Sequence, residues 1–251
     1  MISTRRQRHL NPASAGATLA LDARYITGAV NNTTVQNWNS RPIATVSASQ
    51  STAGSRANYL DSTINGMPGL VFDGSDDLYD ISSLSMTANL TSCWSLMVGV
   101  CSTIGDAIQY GLFTSSGTTV TSNRFSQRLA DTSLQRFTGS FRRLDADSNV
   151  VTATTGSTSS PIVGIVSSDF TNNVASTSRN GGTATTVAYS SGGGAGPTTN
   201  ALAGKVGAVN TTTGRLNGKI GQVLFIPTIP SVSLVKRLRH CAAYSFKIAS
   251  A

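Results

Sequence analysis

The densest group of side chains able to do chemistry is a set of carboxylates, Asp73, Asp76, Asp77 and Asp80. Paired carboxylates can divide acid and base duties in glycoside hydrolysis when they stand ~5 Å apart with separated pKa values. Clustered carboxylate oxygens also suit Ca2+, but this spacing is not that of an EF-hand loop. Asp73, directly before Gly74, reads more simply as a turn residue that accepts local backbone hydrogen bonds. The rest of the inventory is thin. All 11 acidic residues are Asp and none is Glu, and His9 and His240 are the only histidines. No Gly-x-Ser-x-Gly elbow is present, and the Cys and His spacing fits no zinc site. The Gly-rich run at 190–200 lacks the Gly-Lys-Ser/Thr and helix of a phosphate loop. The sequence thus predicts no catalytic residue, no metal ligand and no cofactor.

The elements that must position these groups read as short strands. In 64–81, Asn65-Gly66 and Pro68-Gly69 predict a turn, Leu70-Val71-Phe72 a strand, Asp73-Gly74 a second tight turn, and Leu78 to Ile81 another strand. Trp94 to Val100 is almost continuously apolar and predicts a strand buried on both faces. Tyr110–Phe113 and Arg124–Leu129 predict neighbouring strands, Leu134–Leu144 a half-exposed one, and Pro161–Val166 an inner one. After Pro230 the period changes. Ser231 or Ser233 can cap a helix near 231–247 whose apolar face carries Leu234, Val235, Leu238, Cys241 and Ala242, with Lys236, Arg237, Arg239, His240 and Lys247 turned to water.

Composition points the same way. Only 12% of the 251 residues are charged and 39% are hydrophobic, while Ser and Thr fill 67 positions. That suits many half-exposed strands joined by polar turns. Arg supplies 15 of 19 basic residues, the formal charge is +8 and the pI about 9.9, a balance that favours acidic partners. Residues 1–16 read as a flexible basic arm, with Arg5, Arg6, Arg8 and His9 as a partner-binding element, and 17–251 as one domain that includes the helix. Cys93 and Cys101 flank one strand and stand too far apart for a disulfide, since eight residues span ~26 Å. With three Cys in all, free thiols are expected. Neither a secretory h-region nor a membrane-length apolar run is present, so the expectation is a protein made and kept in a cytoplasm.

The stretch INGMPGLVFDGSDDL resembles the signature of the concanavalin A-like lectin/glucanase jelly rolls, also called laminin-G-like domains. Leu19–Ala23 looks like that family's opening strand, and Val35-Gln36-Asn37-Trp38-Asn39 resembles its VxxWxD segment with Asn39 in place of Asp. Leu216–Phe225 is similar to the closing strand, so the likeness runs over roughly residues 17–248. The resemblance implies an all-β, antiparallel two-sheet jelly-roll sandwich with one C-terminal helix. Glucanases of this fold resemble one another in a Glu-x-Asp-x-x-Glu strand, which a chain without Glu cannot have, so no enzyme is expected. It further implies a structural protein of a phage particle, a head-decoration, cement, tail or fibre component. The expected partners are other virion proteins in a multi-copy assembly, with nucleic acid a lesser possibility and no membrane. The alternative is a lectin-like glycan-binding module in which Trp38, Tyr59, Tyr79 and Tyr110 stack on sugars.

Overall fold

The computed structural model describes residues 11–249 apart from 42–45, 82–89, 104–105, 107, 116–122, 132–133, 142–150, 190–203 and 211. Along the chain run β1 (Leu19–Asp22), β2 (Thr33–Thr34), β3 (Asn37–Asn39), β4 (Ser47–Ser49), β5 (Asn58–Ile64), β6 (Met67–Asp73), β7 (Tyr79–Ile81), β8 (Ser92–Cys101), β9 (Gln109–Ser115) and β10 (Asn123–Ala130). There follow β11 (Arg136–Phe141), β12 (Val151–Ser157), β13 (Ile162–Asp169), β14 (Val174–Arg179), β15 (Thr185–Ala188), β16 (Lys205–Val206), β17 (Asn217–Ile226) and helix α1 (Val232–Ser245). They form two antiparallel sheets. The first has the order β15-β14-β13-β8-β17-β6-β5-β2, with β1 also paired to β17, and the second β12-β11-β10-β9-β16-β7-β4-β3.

Trp38, Phe72, Tyr79, Met97, Phe125, Phe137 and Phe225 fill the space between the sheets. The first sheet is covered on its other face too, where Trp94, Leu96, Val98, Leu224 and Ile226 meet Leu238, Ala242, Ala243 and Phe246 of the C-terminal segment. β8 therefore alternates between two apolar environments: Cys93, Met97 and Cys101 point into the sandwich, and Trp94, Leu96 and Val98 point to the helix. This is why its sequence shows no polar alternation. Ser231 caps α1, its Oγ accepting the Leu234 N–H at 3.3 Å. The all-β sandwich with one C-terminal helix is as the sequence predicts. Cys93, Cys101 and Cys241 are free thiols.

Four details differ from the sequence reading. Asn65 and Gly66, at φ 51° and 78°, make a two-residue turn between β5 and β6, but Pro68 and Gly69 lie inside β6. Pro68 is tolerated there because pairing of β6 with β17 begins only at Leu70, so no ladder hydrogen bond is lost on that side. The segment after Asp73-Gly74 is not a hairpin: β6 belongs to the first sheet and β7 to the second, so residues 74–78 carry the chain across the sandwich. β11 is buried on both faces, with Thr138 and Ser140 as inaccessible as Phe137. Residues 11–16, placed in the arm by sequence, form a 3-10 turn over Ala13–Ala15, with Ala15 packed beside Ala17 in the helix-side cluster.

Candidate functional site

Asp22, at the end of β1, turns the chain outward. Its Oδ1 accepts the backbone N–H of Arg24 at 3.0 Å and the Arg24 Nε–H at 2.9 Å, fixing a 3-10 turn over Ala23–Tyr25. Tyr25 emerges 41% exposed. The next residues loop back through Gly28 (φ 73°) and Asn32 (φ 60°), and the N–H of Asn32 donates to the Tyr59 carbonyl at 2.8 Å. The chain then supplies β2 to the edge of the first sheet, crosses at Val35 and Gln36, and supplies β3 to the edge of the second. Val35 is pinned by its N–H to the Ala57 carbonyl and Gln36 by its carbonyl to the Gln50 N–H. One short segment thus closes both sheets at the same side of the sandwich.

Between this segment and the outward loop lies an open cleft of about 310 Å3, lined by Tyr25–Ala29, Thr33–Asn37 and Asn39, at the low end of the size of small-molecule sites. Period-two alternation in β3 buries Trp38 and leaves Asn37 and Asn39 on the outer face. Thr34, Gln36, Asn37 and Asn39 are exposed and have no side-chain hydrogen-bond partner among the described residues. Each amide offers both a donor and an acceptor. None of the described lining residues is acidic. The Tyr25 ring carries two guanidinium groups, Arg41 at 4.7 Å and Arg24 at 5.3 Å from its centroid. Arg24 is neutralised by its ion pair with Asp22. Arg41 has no ion-pair partner among the described residues, and its backbone N–H is held by the Ala20 carbonyl at 2.8 Å.

Of the aromatic residues expected to stack on sugars, Trp38, Tyr79 and Tyr110 are fully buried and present no face to a ligand. The Tyr79 hydroxyl donates to the Val35 carbonyl at 2.7 Å, and burial pushes its phenol far up, so it stays neutral. Tyr59 is half-buried against the core, opposite Thr33 of β2, and does not line the cleft. Their expected role is corrected for a simple reason: aromatics bury the most apolar area and the core takes them first. Tyr25 and Arg41 were missed by the sequence reading. The only signal was local, an Asp-Ala-Arg-Tyr turn followed by an Asn- and Thr-rich run. The arm residues Arg5, Arg6, Arg8 and His9 lie outside the described residues.

The acidic cluster sits elsewhere, on the crossover. Asp73, Asp76 and Asp77 bring carboxylate oxygens within 4.8 Å of one another, yet each already accepts a hydrogen bond, Asp73 and Asp77 within the turn and Asp76 from outside it. Asp73 Oδ1 accepts the Ser75 N–H at 2.7 Å, Asp77 Oδ2 accepts the Asp73 N–H at 3.0 Å, and Asp76 Oδ2 accepts the Ser55 hydroxyl at 2.7 Å. Burial raises the Asp77 carboxyl to about 6, with the charges of Asp73 and Asp76 adding to it and the Asp73 N–H opposing. Gly74 follows at φ 80°, where an added Cβ would meet the Asn217 Cβ at 2.9 Å. Asp80, outside this group, pairs with Lys205.

No family model matches the sequence, and no curated protein matches it. Solved structures do. The CBM40 of the Ruminococcus gnavus IT-sialidase, solved bound to alpha2,3 sialyllactose, superposes with a TM-score of 0.52 at 15% identity over 68% of this chain and 95% of that one. An arabinofuranosidase complexed with arabinofuranosyl-alpha-1,2-xylobiose gives 0.66 at 10% identity over 96% of this chain and 66% of that one. A Trypanosoma rangeli sialidase gives 0.58 at 10% identity over 90% of this chain and 32% of that one. The likeness establishes the class of fold, a β-sandwich of the kind found in sialidase and glycosidase structures, consistent with a concanavalin A-like jelly roll. It also corrects the expectation that the chain is no enzyme, because enzymes stand among the structures sharing this fold. The expectation of a phage particle component finds no support in these matches.

Proposed function

We propose that this protein binds carbohydrate, using the cleft at the closed side of the sandwich. The observation that carries the reading is the set of side chains, the Thr34 hydroxyl and the Gln36, Asn37 and Asn39 amides, that have no partner among the described residues around a concave opening. Sugars present closely spaced hydroxyls that both donate and accept, and side-chain amides match them group for group. The neighbouring CBM40 solved with sialyllactose supports the reading by showing that this fold carries glycans. A virion role, by contrast, has no observation to favour it.

The test is a glycan panel probed with the wild-type chain and with the double variant Asn37→Ala/Asn39→Ala. Each hydrogen bond to a sugar contributes ~1 kcal/mol, so losing two should weaken binding by roughly tenfold or more. Both residues are exposed, so the melting temperature should barely move. Unchanged affinity in the double variant, or no glycan bound by the wild type, would overturn the reading.

A further inference from the structure

The charge around the cleft is one-sided. The described lining residues include no acid, and the carboxylate of Asp22, three residues before Tyr25, is spent on Arg24. Arg41 stands on the Tyr25 ring at 4.7 Å with no carboxylate beside it among the described residues. Stacking on an aromatic face restrains a guanidinium but occupies only its π surface, leaving the in-plane N–H groups free for bidentate capture of an oxyanion. Tyr25 lines the cleft and Arg41 rests on the Tyr25 ring, so its guanidinium lies beside a lining residue. The Arg41 backbone is tied to β1 and Ser40 is tied on both sides, its N–H to the Val46 carbonyl and its Oγ to the Ala20 N–H. The guanidinium therefore starts from a fixed root, which lowers the ordering cost of binding.

From this geometry we infer that the cleft takes an anionic glycan, one bearing a carboxylate or sulfate group, and that Arg41 reads the charge while Asn37, Asn39 and Gln36 read the hydroxyls. This rests on the carbohydrate reading above and narrows it to a ligand class. Tyr25 is a positioning residue that holds Arg41 and need not touch the sugar.

The experiment measures affinity for three probes, lactose, alpha2,3-sialyllactose and lactose sulfate, with the wild type, Arg41→Gln, Arg41→Lys and Tyr25→Leu, each first shown to melt like the wild type. The wild type should prefer at least one charged probe over lactose by about tenfold, the size of one charge-assisted bidentate contact, and the preference should shrink as salt is raised. Arg41→Gln should abolish the preference while changing lactose binding less than about twofold. Arg41→Lys should restore it only in part, because a point charge lacks the planar fork, and Tyr25→Leu should weaken the charged probe selectively. Which charged probe wins separates carboxylate from sulfate recognition. Equal affinity of the wild type for lactose and both charged probes, or a preference untouched in Arg41→Gln, would overturn the inference while leaving carbohydrate binding intact. Binding of none of the probes would overturn the inference, while the carbohydrate reading stands or falls on the glycan panel.

Discussion

Asp77 is a carboxylate whose surroundings make a measurable demand on the fold. Buried within the crossover, it holds its proton up to about 6 against an ordinary value of 3.8. The native state therefore binds this proton more tightly than the unfolded chain does. The resulting stability is fully present below about pH 4 and is lost as pH rises through about 6. Asp77→Asn keeps an oxygen to accept the Asp73 N–H and removes the buried charge. Denaturant unfolding between pH 4 and 7 should show a flatter profile for the variant and, at pH 7, a gain on the order of 1–2 kcal/mol. A variant less stable at pH 7, or with the wild-type slope, would refute this assignment. The sequence located the cluster and the turn role of Asp73, but not the burial of Asp77. Burial depends on which sheet the next strand joins, and no local spacing encodes that.

The same ambiguity runs through the elements. Strands with strong signatures, β8, β13, β17 and the β9–β10 pair, were legible because apolar pattern and β-branched content agree. The β6–β7 connection was not, since an Asp-Gly turn looks identical whether the chain folds back in its own sheet or passes to the opposite one. The half-exposed reading of β11 failed because Thr138 and Ser140 are polar yet inaccessible. The cleft was legible only as a run of Asn and Thr, because the outward loop that begins at the Ala23–Tyr25 turn forms its other wall. The helix was read correctly except that Arg239, expected in water, is half-buried beside the Gly181 carbonyl, and its apolar face gives a direct check. Leu238 is buried against the first sheet, so Leu238→Ala should cost about 2–4 kcal/mol, against less than about 0.5 kcal/mol for Lys236→Ala on the exposed face. Equal losses in thermal melts would contradict the packing described.

At the scale of the molecule, the first sheet is a middle layer, with the inter-sheet core on one side and α1 on the other. Ending the chain after Pro230 would uncover Trp94, Leu96, Val98, Leu224 and Ile226 together, a contiguous apolar surface that water-exposed sheets do not sustain. The truncated protein should aggregate, or, if held soluble, show Trp94 emission shifted to the red; a soluble monomer with wild-type emission would mean the helix is dispensable. The opposite end of both sheets carries a different consequence. There β2 and β3 are only two and three residues long and come from one continuous strip of backbone. Long, flat outer strands invite another chain to add itself and propagate fibres. This strip is too short to serve as a template and carries polar side chains at its rim. So short a strip would disfavour edge-to-edge self-association, and a sugar bound as proposed would cover what remains of that seam.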